Sequence, residues 1–152
     1  MSKITVQEIR EICAKQLPFA LELGMAVESL DHGEVTVRLP YRDEFVRPGG
    51  TVAGPMLMTL ADFAMYVAVL SRIGRQEMAV TSNLNCNFLR RPRPADVVAH
   101  ARIIKLGKRL AYGEVSMFSE GEEDGDPVAH ATVTYSVPPR ETGETGENGD
   151  RR

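Results

Sequence analysis

The sequence has few of the cysteines and no excess of the basic residues that metal-binding, redox-active and nucleic-acid-binding proteins use. It contains two cysteines, Cys13 and Cys86, with no Cys-x-x-Cys spacing and no metal-site spacing. We therefore expect two ordinary buried thiols in a reducing compartment. The formal net charge of −3 gives no basic field for nucleic acid and no basic patch for a membrane surface. The composition predicts no metal site, no cofactor, no nucleic-acid partner and no membrane partner.

Residues 1–10 are polar, so we expect no signal region there. The longest apolar stretch covers residues 48–70, but Asp62 interrupts it. A carboxylate at that depth would be costly in lipid, so this stretch is interpreted as a buried helix of a soluble protein. We expect a cytoplasmic location.

Periodicity predicts one short N-terminal helix, a hairpin, a long helix and several long strands. Thr5 and Glu8 form a capping-box pattern ahead of the first helix. The remaining expected elements are a hairpin over residues 25–39, a loop over 41–54, a helix over 55–72, and strands at 80–88, 97–106, 110–119 and 128–137. The last four strands are expected to form an antiparallel meander.

The long helix has almost no polar face, so it must be covered on nearly all sides. One antiparallel sheet wrapped around one long buried helix satisfies this requirement, and the predicted fold class is α+β. A ferredoxin-like sandwich is the alternative, but it needs two amphipathic helices between the strands. The domain is predicted to cover residues 1–137, and the polar tail 138–152 is predicted to be disordered.

Two faces are expected to alternate along the strand at residues 80–88. One face carries the apolar side chains of Val80, Leu84, Cys86 and Phe88, and the other carries Thr81, Asn83, Asn85 and Asn87.

Two features of the long helix are candidates for chemistry. Asp62 is either a structural, ion-paired aspartate or a catalytic carboxylate at the floor of a cleft, because burying an unpaired carboxylate is expensive. Gly54-Pro55 is either an ordinary turn at the end of the loop or a helix N-terminus whose free N–H groups can stabilise an oxyanion.

An ordered set of motifs over residues 20–137 resembles the PaaI-like acyl-CoA thioesterases of the hot-dog fold superfamily. The family pattern Gly-x-x-His-Gly-Gly, followed by an Asp eight residues after the first of the paired glycines, is similar to residues 50–55 and Asp62 here. The segments TSNLNCNFL at 81–89, Arg91-Pro92, the turn at 105–109 and the strand at 128–135 complete the likeness.

The resemblance implies a role for each matching position. Asp62 would act on the thioester carbonyl as nucleophile or general base, the Gly54 N–H would polarise the carbonyl oxygen, and the Thr81 hydroxyl would help hold the water. The positions expected to contact the coenzyme A substrate are Arg47, Arg90, Arg91, Arg93, Lys105, Gly107, Lys108 and Arg109. For any single one of these charges, a solvated surface residue is the alternative interpretation.

Three positions depart from the family pattern. Ala53 stands where the family usually has His, Arg47 where many members have Asn, and Pro55 where the second glycine lies. The predicted function is acyl-CoA hydrolysis, and the alternative is a hot-dog protein that binds acyl-CoA or another acyl ligand without turnover. A hydratase or dehydratase is a weaker alternative, since no His lies near Asp62 in sequence.

Assembly follows from spacing along the long helix. Gly54 and Asp62 are eight residues apart, which is about 12 Å along a helix. They cannot both reach one thioester carbon from the same helix, so a two-fold partner is expected to supply one of them. We expect a homodimer or homotetramer with sites at the dimer interface.

Overall fold

The computed structural model describes residues 1–139, and the predicted tail therefore lies outside the described residues except for Pro138 and Pro139. Three α-helices and eight strands make up the described chain. In chain order they are α1 (Val6–Gln16), α2 (Pro18–Glu22), β1 (Ala26–Asp31), β2 (Glu34–Leu39), β3 (Val46–Arg47), β4 (Thr51–Val52), α3 (Gly54–Ile73), β5 (Val80–Phe88), β6 (Val97–Leu106), β7 (Leu110–Ser119) and β8 (Ala129–Ser136). The small β3–β4 pair lies where a plain loop was expected.

Six strands form one antiparallel sheet in the order β1-β2-β6-β7-β8-β5. The predicted meander is therefore only partly right, because β5 pairs with β8 and not with β6. The connection from β5 to β6 crosses to the middle of the sheet. As a result β5 is an edge strand with one neighbour among residues 1–139.

Helix α3 lies across the concave face of this sheet and contacts all six of its strands. Its length and mean hydropathy of 1.5 would suit a membrane span, but 72% of its apolar window is buried inside the protein. The structure thus confirms the predicted fold class, an antiparallel sheet around one long buried helix. The ferredoxin-like alternative is wrong, because no second helix of this kind is found among residues 1–139.

Small side chains on the sheet face under α3 allow this close packing. These residues are Ala99, Ala101, Ala111, Gly113, Ala129 and Ala131, all of them buried. At Gly113 the approach is tightest, since an added Cβ would lie 2.5 Å from the Arg102 carbonyl oxygen and 2.5 Å from Cε of Met65 on α3. The helix can lie this near the sheet only because position 113 has no side chain.

Helix α1 begins where the sequence predicts. The Thr5 hydroxyl accepts from the Glu8 N–H, and the Glu8 side chain accepts from the Thr5 N–H, so the capping box is formed. Ile9, Ile12 and Cys13 on the inner side of α1 are buried in the core. This packing brings α1 and the following α2 to the part of α3 that carries Asp62.

A β-bulge interrupts β5 between Thr81 and Asn83. A bulge adds one residue to a strand and so reverses the alternation of side chains. Thr81 therefore shares the inner face with Leu84, and its hydroxyl reaches α3, whereas Asn83 does not share that face. The prediction that Thr81 lies on the asparagine face is wrong for this reason.

The close contact at Gly113 predicts that adding a side chain there destabilises the protein. Gly113→Ala should lower the free energy of unfolding by about 1–3 kcal/mol, because the new methyl group must displace both a backbone carbonyl and Met65. The measurement is urea denaturation at one fixed protein concentration. Gly125→Ala is the matched control, since its Cβ would lie 3.4 Å from the nearest atom, and it should change stability by less than about 0.5 kcal/mol. Equal effects of the two changes would contradict the close packing of α3.

Candidate active site

Asp62 lies in the middle of α3 and is only partly buried, although the helical residues on either side of it are fully buried. Its Oδ1 accepts two hydrogen bonds, one from the Thr81 hydroxyl at 2.6 Å and one from the Tyr135 hydroxyl at 2.7 Å. No ion pair to Asp62 is found among residues 1–139. Hydroxyl groups thus hold one oxygen of this carboxylate, and the ion-paired interpretation does not hold within these residues.

Tyr135 is the residue that sequence reasoning missed. It lies opposite Thr81 in the pairing of β8 with β5, so both hydroxyls approach Asp62 from adjacent strands. Burial, and then the negative charge of Asp62, raise the pKa of the Tyr135 phenol, which stays protonated and remains a donor. The sequence did contain one sign that Tyr135 is special. A large side chain with a hydroxyl follows Ala129, Ala131 and Val133 on a strand face of small apolar residues.

A cleft of about 180 Å³ opens over Asp62, Thr81 and Tyr135. Its walls are mostly apolar and come from the α1–α2 connection, α2, α3 and the chain entering β5. The apolar wall residues are Leu17, Phe19, Phe63, Ala79 and Val80. Glu77 is the one further carboxylate that lines it, and Arg75 holds that side chain at 2.9 Å. The cleft can accept an apolar group beside one reactive carboxylate oxygen.

Gly54 lies in a different cleft, of about 380 Å³, at the N-terminus of α3. No side chain caps this first helical turn at Ala53. An added Cβ at Gly54 would lie 3.3 Å from the Phe88 ring, so glycine keeps the helix end open to a ligand. An uncapped helix N-terminus presents free N–H groups and a positive dipole end.

Of the four predicted arginines outside the 105–109 turn, three line the Gly54 cleft, namely Arg47, Arg90 and Arg91. Arg90 and the fourth, Arg93, both pair with Glu122, at 2.6 and 3.3 Å. Sequence reasoning did not foresee this pairing across the loop after β7. Arg91 forms no ion pair within the described chain and is exposed at the rim of the cleft.

The second basic set, Lys105 to Arg109, lies at the other end of the sheet. It forms the turn between β6 and β7, next to the pair Leu106 and Ala111. The arginine cluster lies at the start of β6, where the Arg93 N–H donates to the Ser119 hydroxyl. Since β6 has ten residues, the two sets are about 30 Å apart in one chain. The structure does not bring them together within one subunit.

The candidate site is therefore divided into two halves. One half holds Gly54 and the arginines, and the other holds Asp62, Thr81 and the end of the sheet with the Gly107 turn. No residue lines both clefts. Among the described residues no histidine contacts Asp62, because His100 bonds to Thr36 and His130 to Glu114 on the outer face.

Comparison with known proteins identifies the family. The model of the thioesterase superfamily matches residues 49–125, which include Gly54, Asp62, Thr81, Arg90, Arg91 and Arg93. The chain belongs to the thioesterase superfamily. Its architecture is the hot-dog fold, as the resemblance implied.

Three relatives show how far the similarity extends. A solved structure described as a candidate thioesterase from Silicibacter sp. TM1040 is 38% identical, with a TM-score of 0.81 over 91% of this chain and 95% of that one. A mutant of the phenylacetic acid degradation protein PaaI from Thermus thermophilus is 31% identical, with a TM-score of 0.70 over 80% of this chain and 99% of that one. The 1,4-dihydroxy-2-naphthoyl-CoA hydrolase of Listeria monocytogenes is 25% identical over 66% of this chain and 82% of its own length. The family and these relatives support thioester hydrolysis in general and a PaaI-like member in particular.

Proposed function

We propose that the protein hydrolyses an acyl-CoA thioester to a free acid and coenzyme A, with Asp62 as the reacting carboxylate. The observation that carries the proposal is the geometry of Asp62. Two hydroxyls hold its Oδ1, and the side chain faces a cleft with apolar walls. A positioned carboxylate beside an apolar pocket is suited to act on the carbonyl of an acyl group.

The chemistry requires water and no cofactor. As a general base, Asp62 takes a proton from water, the water oxygen bonds to the thioester carbon, and the C–S bond breaks with the proton returned to the sulfur. As a nucleophile, an Asp62 oxygen bonds to the thioester carbon, and the C–S bond breaks to release coenzyme A as its thiolate. Water then hydrolyses the acyl anhydride, which gives the free acid and the Asp62 carboxylate again, and a proton from that water goes to the thiolate. In both routes negative charge develops on the carbonyl oxygen, and the Gly54 N–H at the helix N-terminus would stabilise it.

The Thr81 hydroxyl has a more limited role than the resemblance implied. Its proton is directed to Asp62 Oδ1, so it can contact the attacking water only through its oxygen, as an acceptor. Water that donates one proton to Thr81 and the other to Asp62 keeps a lone pair for the thioester carbon. This arrangement favours the general-base route.

Coenzyme A is the proposed thiol because basic residues surround the Gly54 cleft. Arg91 is free of ion pairs within the described chain and can meet a phosphate, while Arg47 and Arg90 line the same cleft. The relative from Listeria monocytogenes is named as a CoA hydrolase. The free thiols Cys13 and Cys86 support a reducing, cytoplasmic compartment.

The two halves of the site support a homodimer. A two-fold axis that sets β5 edges side by side in opposite directions would bring the Asp62 end of one subunit to the Gly54 end of its partner. It would also bring the Gly107 turn of one subunit towards the arginine cluster of the other. We propose this homodimer as the active unit, alone or within a homotetramer.

Binding of an acyl ligand without turnover remains the second candidate function. Ala53 and Arg47 replace two polar residues of the family pattern, and Ala53 supplies no side-chain cap at the helix N-terminus. A measurement that separates binding from hydrolysis decides between the two functions.

Asp62→Asn should lower turnover of acyl-CoA by at least about a hundredfold, because a positioned base is lost from the transition state. Affinity for acyl-CoA should stay within a few-fold, since binding rests on the cleft walls and the basic rim. Free-thiol release from a panel of acyl-CoAs measures turnover, and calorimetry measures affinity.

Asp126→Asn is the control for Asp62→Asn, because Asp126 is an exposed loop carboxylate. It should retain the turnover of the parent. An Asp62→Asn protein as active as the parent would make Asp62 structural. Tight binding by the parent with no thiol release across the panel would favour the binding protein.

The shared site predicts complementation between inactive subunits. Gly54→Val should inactivate by crowding the cleft against Phe88, and Asp62→Asn by losing the carboxylate. The two inactive proteins are mixed, unfolded and refolded together. Half of the randomly formed dimers should then contain one subunit of each kind, and each such dimer has one intact site out of two. The mixture should therefore regain about a quarter of the parent activity. Mixtures that stay inactive while native mass spectrometry detects mixed dimers would show that each site lies within one chain.

Nucleotide recognition is tested at Arg91. Arg91→Gln should raise KM for acyl-CoA about three- to tenfold and change kcat little, because a phosphate contact is made equally in the ground and transition states. The effect should shrink at high salt. Arg10→Gln, on the exposed side of α1, is the control for loss of one positive charge. If acyl-pantetheine and acyl-CoA gave the same kinetics in the parent, the nucleotide would not be recognised.

A further inference from the structure

Tyr135 makes a double contact with one residue. Its hydroxyl lies 2.7 Å from Oδ1 of Asp62 and 3.0 Å from the backbone carbonyl oxygen of Asp62. The Tyr135 side chain is 3% exposed and therefore fixed by packing. One buried phenol thus touches both the side chain and the backbone of the proposed reacting residue.

We propose that Tyr135 is a positioning residue that holds Asp62 Oδ1 in place and leaves Oδ2 as the oxygen that reacts. This inference rests on the proposed function, because it assigns a task within the same site. It goes beyond the family likeness, whose catalytic positions were Asp62, Gly54 and Thr81 and did not include Tyr135.

The assignment of Oδ2 follows from counting donors. Thr81 and Tyr135 each have one hydroxyl proton, and Oδ1 is the nearest acceptor on Asp62 for both, at 2.6 and 2.7 Å, against 3.0 Å from the phenol to the backbone carbonyl. No described residue donates a hydrogen bond to Oδ2. A carboxylate oxygen that already accepts two hydrogen bonds is a weaker base than one that accepts none. Proton abstraction or attack on the thioester therefore falls to Oδ2.

The fold holds Tyr135 more firmly than it holds Thr81. Strand β8 is bonded on both sides, and Tyr135 lies between Ala111 on β7 and Thr81 on β5. Thr81, in contrast, lies beside a bulge on the edge strand. Within one chain the phenol is therefore the firmer of the two contacts against which the carboxylate is oriented, because its strand has a neighbour on each side.

The remaining groups around Asp62 do not compete for this role. Tyr66 lies one turn along α3 with its ring 6.0 Å from that of Tyr135, but its hydroxyl donates to the Glu77 carbonyl oxygen. The Glu77 side chain is paired with Arg75. The walls contributed by Leu17 on the α1–α2 connection and Phe19 on α2 are apolar. Within residues 1–139, Tyr135 and Thr81 alone donate side-chain hydrogen bonds to the carboxylate.

Tyr135→Phe tests the proposal, since it removes the hydroxyl and keeps the ring. We expect kcat to fall at least about tenfold, the effect of losing one hydrogen bond to a charged group, with KM within about twofold. The acid limb of the pH profile of kcat/KM should move to higher pH, because the ionised carboxylate loses a hydrogen-bond donor. Unchanged kcat and an unchanged acid limb would overturn the proposal.

Tyr66→Phe is the matched structural control. It removes another buried tyrosine hydroxyl from the same part of the core, one that bonds away from Asp62. It should lower the melting temperature about as much as Tyr135→Phe does but leave the acid limb in place. An equal shift of the acid limb in both variants, or a lower melting temperature as the only effect of Tyr135→Phe, would show that Tyr135 is merely structural.

A direct titration separates this proposal from the proposed function. In protein labelled with ¹³C-carboxyl aspartate, the Asp62 signal is assigned by its absence from Asp62→Asn. Its titration midpoint should rise in Tyr135→Phe and stay in place in Tyr66→Phe, whether or not the parent hydrolyses any thioester. A parent without activity but with this shift would overturn hydrolysis and keep the positioning role. An active parent without the shift would keep hydrolysis and overturn the positioning role.

Discussion

The packing of α3 against small side chains is the constraint on which the rest of the structure depends. A 20-residue helix with bulky apolar side chains on nearly all sides can lie on a sheet only where the sheet offers alanine and glycine. Gly113 provides the closest approach, against Met65. Because the helix is held so near the sheet, the hydroxyls of residues on two strands can reach the side-chain carboxylate of Asp62 on the helix. The hydrogen bonding of Asp62 therefore depends on the short separation between α3 and the sheet.

The same helix also separates the two parts of the site. Its N-terminus opens at the end of the sheet where β6 begins, and Asp62 lies two turns further on, facing the start of β5. A straight helix cannot bring these points together. A long buried helix that carries both groups therefore favours a second subunit, and the free edge of β5 is where such a subunit can continue the sheet.

Much of the fold could be predicted from the sequence, because its elements are long and strongly periodic. The bounds of β6 and β7 agree with the alternation of residues, and the capping box locates the start of α1. Strand order was less predictable, because the pairing of β5 with β8 depends on contacts between residues far apart in the chain. Tyr135 was missed for a related reason. Its role depends on a hydroxyl that reaches a helix 73 residues away in sequence, which no local pattern reports.

The bulge in β5 determines which side chains lie beside the reacting group. Regular pairing over the same residues would turn Thr81 to the outer face while Leu84 faced α3. With the bulge, Thr81 and Leu84 both face α3 and line one cavity with Asp62. A shift of one residue in the pairing of a strand therefore sets how many hydroxyls the carboxylate receives, with no change of sequence.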